Sequence, residues 1–174
     1  MKRLFFLIYS ILAFLSFIRA EESGRHFMTF YTSEQTGGHF QNWAFIQDNR
    51  GIMYVGNGYG IQEFDGSTWR LIPISNGSFA FSFAKDSTGR IYVGSAAELG
   101  YLAPDSLGTM RYVSLLDQIP EEDRGFTYIW KVIALKEGIF FQARERMFRF
   151  TWLPGKDGKT GSWKVKIWRP ENTI

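Results

Sequence analysis

Residues 48–60 read "DNRGIMYVGNGYG", and residues 86–100 return to nearly the same phrase as "DSTGRIYVGSAAELG". Asp48, Gly51, Tyr54, Val55 and Gly56 recur 38 positions later as Asp86, Gly89, Tyr92, Val93 and Gly94, and Trp43 falls opposite Phe81 at the same offset. A weaker third copy places Trp130 and Gly138 87 positions after Trp43 and Gly51. There Phe140-Phe141-Gln142-Ala143 stands in place of Met53-Tyr54-Val55-Gly56. The repeat unit is therefore about 40 residues, a period that marks stacked structural units.

Each unit reads as short strands separated by turns. "NWAFIQD" alternates without a strongly polar face, and "DNRG" is a turn in which Asp bonds its own backbone and Gly takes positive φ. "IMYVG" is rich in β-formers, "IQEF" alternates, and "TWRLIPI" closes the unit after the "DGS" turn that begins at Asp65 and precedes Trp69. No helical period of useful length runs through residues 40–115. The unit is four small antiparallel strands, and stacking such units around an axis is the propeller solution. The repeated residues thus read as scaffold: Asp48 and Asp86 for turns, Gly51 and Gly89 for positive φ, Tyr54 and Tyr92 for the space between sheets.

The expected fold is all-β, a partial β-propeller of about three four-stranded blades at residues 42–77, 78–116 and 128–168. A lead-in of residues 21–41 precedes them. Residues 1–20 have the layout of a secretory signal peptide: Lys2 and Arg3, an apolar run from Leu4 to Ile18, and a cut expected between Ala20 and Glu21. An uncleaved anchor is the alternative reading, although the apolar run is shorter than the roughly 20 residues a spanning helix needs. Export to the periplasm or cell envelope follows. The chain has no cysteine, so disulfides, thiolate catalysis, Cys-based zinc sites and a lipidated N-terminal Cys are excluded.

The chain carries 20 basic and 17 acidic residues, but the excess belongs to Lys2, Arg3 and Arg19. The mature part is neutral, and a nucleic-acid partner is not expected. The charge is unevenly placed: residues 21–124 hold 7 basic and 13 acidic side chains, and residues 125–174 hold 10 and 4.

The segment "NWAFIQDNRGIMYVGNGYGIQEFDGSTWRLI" resembles the propeller repeats of two-component regulators, as do "GRIYVGSAAELGYLAPDSLGTMRYVSLL" and "IPEEDRGFTYIWKV". The resemblance spans roughly residues 40–150. It implies the exported, ligand-sensing half of a hybrid histidine kinase or related regulator, with a change in packing passed to a membrane-linked output. Further blades, a β-sandwich, a membrane helix and an output domain would follow in such proteins. At about 40 residues per unit the mature chain supplies three to four blades, whereas closure needs at least four. A truncated sensor, or an arc that closes by self-association, is the expectation.

No catalytic, metal or cofactor residue is expected. "GNGYGI" lacks the spacing of a dinucleotide cradle and reads as a strand-to-strand turn. His26 and His39 lack metal-ligand spacing, and no pair among Glu63, Asp65, Glu98 and Asp105 is placed for glycoside hydrolysis. Two stretches offer ligand-face candidates. The loop 115–128 carries Pro120 followed by Glu121 and Glu122, which suits a short helical turn. In the third unit, alternation puts Arg144, Arg146, Phe148 and Phe150 on one face, a basic and aromatic set suited to an anionic sugar or other small ligand. Snorkelling arginines on a surface strand explain the pattern equally well. A propeller enzyme acting on sugar acids or lactones, and a surface scaffold or adhesion module, remain the other readings of the chain.

Overall fold

The computed structural model describes residues 28–155 and 160–170. The expected signal segment, its expected cut between Ala20 and Glu21, and His26 lie outside the described residues. Two compact units divide the chain, Met1–Phe30 and Tyr31–Ile174, and every described strand belongs to the second.

That unit is an all-β partial propeller of three four-stranded antiparallel blades, none closed into a barrel. Blade 1 is β1 (Asn42–Gln47), β2 (Met53–Asn57), β3 (Gly60–Phe64) and β4 (Trp69–Ile72). Blade 2 is β5 (Ala80–Lys85), β6 (Ile91–Ser95), β7 (Leu99–Pro104) and β8 (Met110–Ser114). Blade 3 is β9 (Ile129–Leu135), β10 (Gly138–Ala143), β11 (Met147–Pro154) and β12 (Gly161–Trp168). In each blade the strands pair in sequence order. The inner strands β1, β5 and β9 run beside one another, while contacts thin out toward the outer strands β4 and β8.

Alternation along β6 explains how the blades hold together. Ile91 and Val93 point back and join Tyr54, Ile61 and Ile72 in one core. Tyr92 points forward and joins Ile129, Phe141, Phe148 and Phe150 in the other. Both faces of β6 are therefore buried, as expected of a strand read as a continuous apolar run.

Gly56 and Gly94 are not turn residues. A Cβ at Gly56 would lie 2.6 Å from the Ala80 carbonyl oxygen, and one at Gly94 2.9 Å from that of Ile129. Each glycine lets the next blade's inner strand approach the sheet.

Four aspartates cage their own turns at one end of the propeller. Asp48 Oδ1 accepts from the amides of Arg50 and Ile52, and Asp86 Oδ1 from those of Thr88 and Arg90. Asp65 does the same for Ser67 and Thr68. Asp105 does so for Leu107 and Thr109 in "DSLGT". This last turn is a further Asp-x-x-Gly copy, with Gly108 at φ +81° matching Gly51 at +90° and Gly89 at +89°.

The third copy departs from the register expected from sequence. Val132 pairs with Phe141 and Ile133 with Phe140, whereas Phe45 pairs with Val55 and Ile46 with Tyr54. Phe140, not Phe141, thus occupies the place of Tyr54 and Tyr92. The β9–β10 turn is one residue shorter than the Asp-x-x-Gly turn, and a one-residue change moves a side chain to the opposite face. Gly138 has positive φ but opens β10 directly, with the Phe150 carbonyl oxygen 2.5 Å from where its Cβ would sit.

The described part of the lead-in ahead of β1 holds a short helix and a loop. Helix α1 (Ser33–Thr36) starts at a capping box between Thr32 and Gln35 and ends at Gly37 in left-handed geometry. Asn57 ties the following loop to β2, accepting from the His39 amide at 2.8 Å and donating to the His39 carbonyl at 2.7 Å. Tyr31 packs edge-on against Phe64 and Trp69, each at 5.3 Å between ring centres. Tyr31 and the loop at His39 therefore cover part of the face of blade 1 that points away from blade 2.

Candidate functional site

The inner strands share an irregularity that builds a site. Each carries a β-bulge where it pairs with its neighbour: between Asn42 and Ala44 in β1, between Ala80 and Ser82 in β5, and opposite Gln142–Ala143 in β9. The extra residues are Trp43, Phe81 and Trp130. A bulge re-aims the side chain it inserts, and here all three turn onto the inner edge of the arc. Trp43 lies 5.1 Å from Phe81 and Phe81 5.0 Å from Trp130, between ring centres.

Two connecting segments widen this row. Phe79, just before β5, sits 5.1 Å from Trp43 and 4.6 Å from Phe81. Tyr128, just before β9, sits 5.3 Å from Phe81 and 5.1 Å from Trp130. Trp43 remains 39% and Trp130 53% exposed. A row of rings that stays this open offers broad, rigid, amphipathic contact area with little side-chain entropy to lose.

Polar ties hold the connecting rings in place. Asn76 Nδ2 donates to the Ala96 carbonyl at 2.9 Å, and Ser78 Oγ and Ser95 Oγ lie 2.7 Å apart. The Ala97 amide donates to the Thr127 carbonyl at 2.7 Å, and Ala96 bridges Tyr128. Ala97 itself sits at φ +50°, an uncommon conformation for a residue with a side chain. The β6–β7 turn thus grips both segments that supply extra rings.

The ligand-face candidates read from sequence are dispersed. Phe148 is fully buried in the core between blades 2 and 3, packed on Phe126 at 5.2 Å, and is not available to a ligand. Phe150 is buried beside it. Arg144 and Arg146 lie in the β10–β11 turn, outside the strands, so strand alternation does not govern them. Glu121 and Glu122 are exposed in the expected helical turn, a 3-10 turn of Glu121–Asp123. What the loop and the turn share is internal: Asp123, 1% exposed, accepts from Arg146 Nη1 at 2.8 Å and from Arg169 Nε at 2.8 Å. Leu115, Ile119 and Phe126 enter the same core. The loop 115–128 is therefore a packed crossover, and it holds Tyr128 at its end.

The carboxylates of Glu63 and Glu98 are engaged within their own blades. Tyr54 donates to Glu63 at 3.2 Å, Arg70 Nε donates to Glu63 at 2.6 Å, and Glu98 accepts from the Leu99 amide and from Ser114. Burial, and then the nearby Glu63 and Asp48 carboxylates, push the Tyr54 phenol far above its ordinary value, so it stays a proton donor. A cleft of about 390 Å³ opens between the turns of blades 1 and 2, beside Asp48, Arg50, Tyr54 and Arg90. Its best-placed charges, Asp48 and Arg50, are already paired at 2.8 Å. His39 accepts from the Gln41 amide and packs on Phe40 and Tyr59. Among the described residues no three His, Asp or Glu side chains gather as metal ligands.

The aromatic row was half legible in sequence. Trp43, Phe81 and Trp130 align in the repeat, but nothing in a strand pattern announces a bulge, and Phe79 and Tyr128 lie outside the strands. No protein-family model matches this chain, and no curated protein matches it.

Proposed function

We propose that this chain is a non-enzymatic ligand-recognition segment, an exported propeller arc that serves the periplasmic sensing side of a two-component regulator. The observation that supports this reading most is the row of bulged rings, Trp43, Phe81 and Trp130, joined by Phe79 and Tyr128. The same edge position is aromatic in all three blades, and two further segments are tied down so as to add rings to it. Packing alone does not require the two tryptophans at its ends to stay open to solvent.

The ligand class that suits this edge is a carbohydrate or another small molecule with flat apolar faces, held by stacking. Recognition would be passed on through blade packing to a membrane-linked output, supplied by a partner or by further domains. The segment 1–20 would direct export.

The test is a panel of oligosaccharides and sugar acids screened by thermal shift and tryptophan fluorescence. A ligand that stabilises the chain, and loses most of that effect in Trp130→Ala and Trp43→Ala, supports the reading. Turnover of a sugar lactone by the purified chain would overturn it in favour of an enzyme. Ligand stabilisation undiminished in both variants would remove the inner edge as the site.

A further inference from the structure

Blade 3 differs from blades 1 and 2 in three ways that bear on the face turned away from blade 2. The first is charge. Strands β9–β12 contain Lys131, Arg149, Lys164 and Lys166 and no acidic residue. Side chains that face blade 2 include Val132, Phe141, Phe148 and Phe150, so alternation sends all four cations to the other side. Arg149 and Lys166 are direct cross-strand partners. Like charges in that position are destabilising. Among the described residues no carboxylate pairs with them, and Arg149 Nε is buried without an acceptor.

The second is what a neighbour could do there. Gly56 and Gly94 exist because the next blade's inner strand touches them. The register places Gln142 at the same point of blade 3, opposite Lys131 as Gly94 is opposite Ser82. A sheet seated as blade 3 seats on blade 2 would collide with the Gln142 side chain. It would also enclose four cations that have no carboxylate partner among the described residues, which is costly.

The third is shape. Strands β11 and β12 have eight residues each, against four in β4 and five in β8. Beyond the pairing with β10, the hairpin overhangs by about three residues, roughly 10 Å. Leu153 sits in that overhang at 45% exposure on the Arg149 side, and Leu135 at 54% lies at the adjoining end of β9. Trp152 points to the other side, against Trp163. Trp168 is flanked by Phe140 and by the Lys166 ammonium, 4.7 Å from its ring centre.

We infer that this face and overhang of blade 3 dock the chain on an anionic lipid surface. Cations that stay hydrated among headgroups, beside a half-buried Trp168 and the exposed Leu135 and Leu153 that enter the acyl boundary, are the composition of an interfacial membrane contact. An acidic polysaccharide would satisfy the cations and stack on Trp168. It would gain little from Leu135 and Leu153. The inference does not depend on what the inner aromatic edge binds.

The experiment is co-sedimentation of the full chain with vesicles of phosphatidylcholine containing one third phosphatidylglycerol, against pure phosphatidylcholine, at low and high salt. The apolar run 4–18 is common to every chain compared, so the salt-sensitive, phosphatidylglycerol-dependent part is the readout. Wild type is expected to show it. Lys164→Gln with Lys166→Gln, two exposed positions, is expected to weaken it by roughly 30-fold, about fivefold per cation. Leu153→Ser with Leu135→Ser should weaken binding that remains at high salt. Equal binding to both vesicle types, or no change in the lysine variant, overturns the inference. So does dimerisation abolished by the same lysine substitutions, or capture of a soluble acidic polysaccharide without capture of vesicles.

Discussion

The Tyr92 phenol donates to the Asp86 carboxylate at 3.0 Å. That one carboxylate thereby closes its own turn and satisfies a hydroxyl in the core between blades 2 and 3. Tyr92 is 3% exposed, and its pKa is raised by burial first and by Asp86 second. Asp86→Ala would strip acceptors from the Thr88 and Arg90 amides and leave the phenol unpaired. A loss of about 2–4 kcal/mol is expected by urea unfolding, a buried unsatisfied donor alone costing about 1–3 kcal/mol. Tyr92→Phe, which removes the donor with its bond, should cost about 1 kcal/mol. Equal losses in the two variants would contradict this division of labour.

The repeat was legible because each copied residue answers a local demand. Asp48 and Asp86 cage turns, Gly51 and Gly89 take positive φ, and Tyr54 and Tyr92 fill the gaps between blades. The third blade was less legible because its first turn is one residue shorter. That change exchanged the roles of Phe140 and Phe141, and it set Phe148 and Phe150 in the core where a basic and aromatic face had been expected. Bulges hid the aromatic edge for a related reason. A bulge is a disagreement between two strands, and neither strand's own alternation records it. The turn role of Asp105 was less legible although its turn repeats the Asp-x-x-Gly spacing, because it lies between outer strands, outside the 38-residue repeat.

Gly94 and Gln142 occupy the same place in successive blades, and their tolerance of change should differ accordingly. Gly94→Ala sets a methyl against Ile129 and Ser82, with contacts at 2.6 Å to side-chain atoms of both. Overpacking of this kind costs about 1–3 kcal/mol. Gln142→Ala, on an exposed face, should change stability by no more than about 0.5 kcal/mol. Paired denaturation curves decide the matter, and a Gly94→Ala chain as stable as wild type would mean that blades 2 and 3 are not in contact there.

Asp123 joins the 115–128 crossover to both ends of the outer hairpin of blade 3. Its carboxylate is 1% exposed, and the Arg146 side chain is largely buried beside it. Asp123→Ala leaves that guanidinium without its partner, and about 3–5 kcal/mol is expected, as for other broken buried pairs. Arg169 is well exposed, so Arg169→Ala should cost no more than about 1 kcal/mol. Proteolysis offers a second readout: the crossover should become susceptible in Asp123→Ala and stay protected in Arg169→Ala.

Acid should undo the turn end of the propeller first. The Asp65 carboxyl is held below its ordinary 3.8 by the Thr68 and then the Ser67 amide. Asp105 is held below the same value, chiefly by the Thr109 amide, with Arg111 and the Leu107 amide assisting against partial desolvation. At Asp48 burial is the largest influence and acts upward, but the Arg50 side chain and the Ile52 and Arg50 amides together outweigh it. A depressed carboxyl binds its proton more readily in the unfolded chain. Its stabilising contribution is therefore complete above the ordinary value of 3.8 and drains away as pH falls below it, through the depressed folded-state value. Melting temperature followed from neutral pH downward should show no loss from these groups above about pH 5, and a decline below about pH 4. Asp65→Asn with Asp105→Asn keeps a side-chain oxygen for the amides but has no proton to take up there. That chain should melt lower than wild type at neutral pH and lose less on acidification. An acid decline equally steep in both chains would show that these turns are not where protons act.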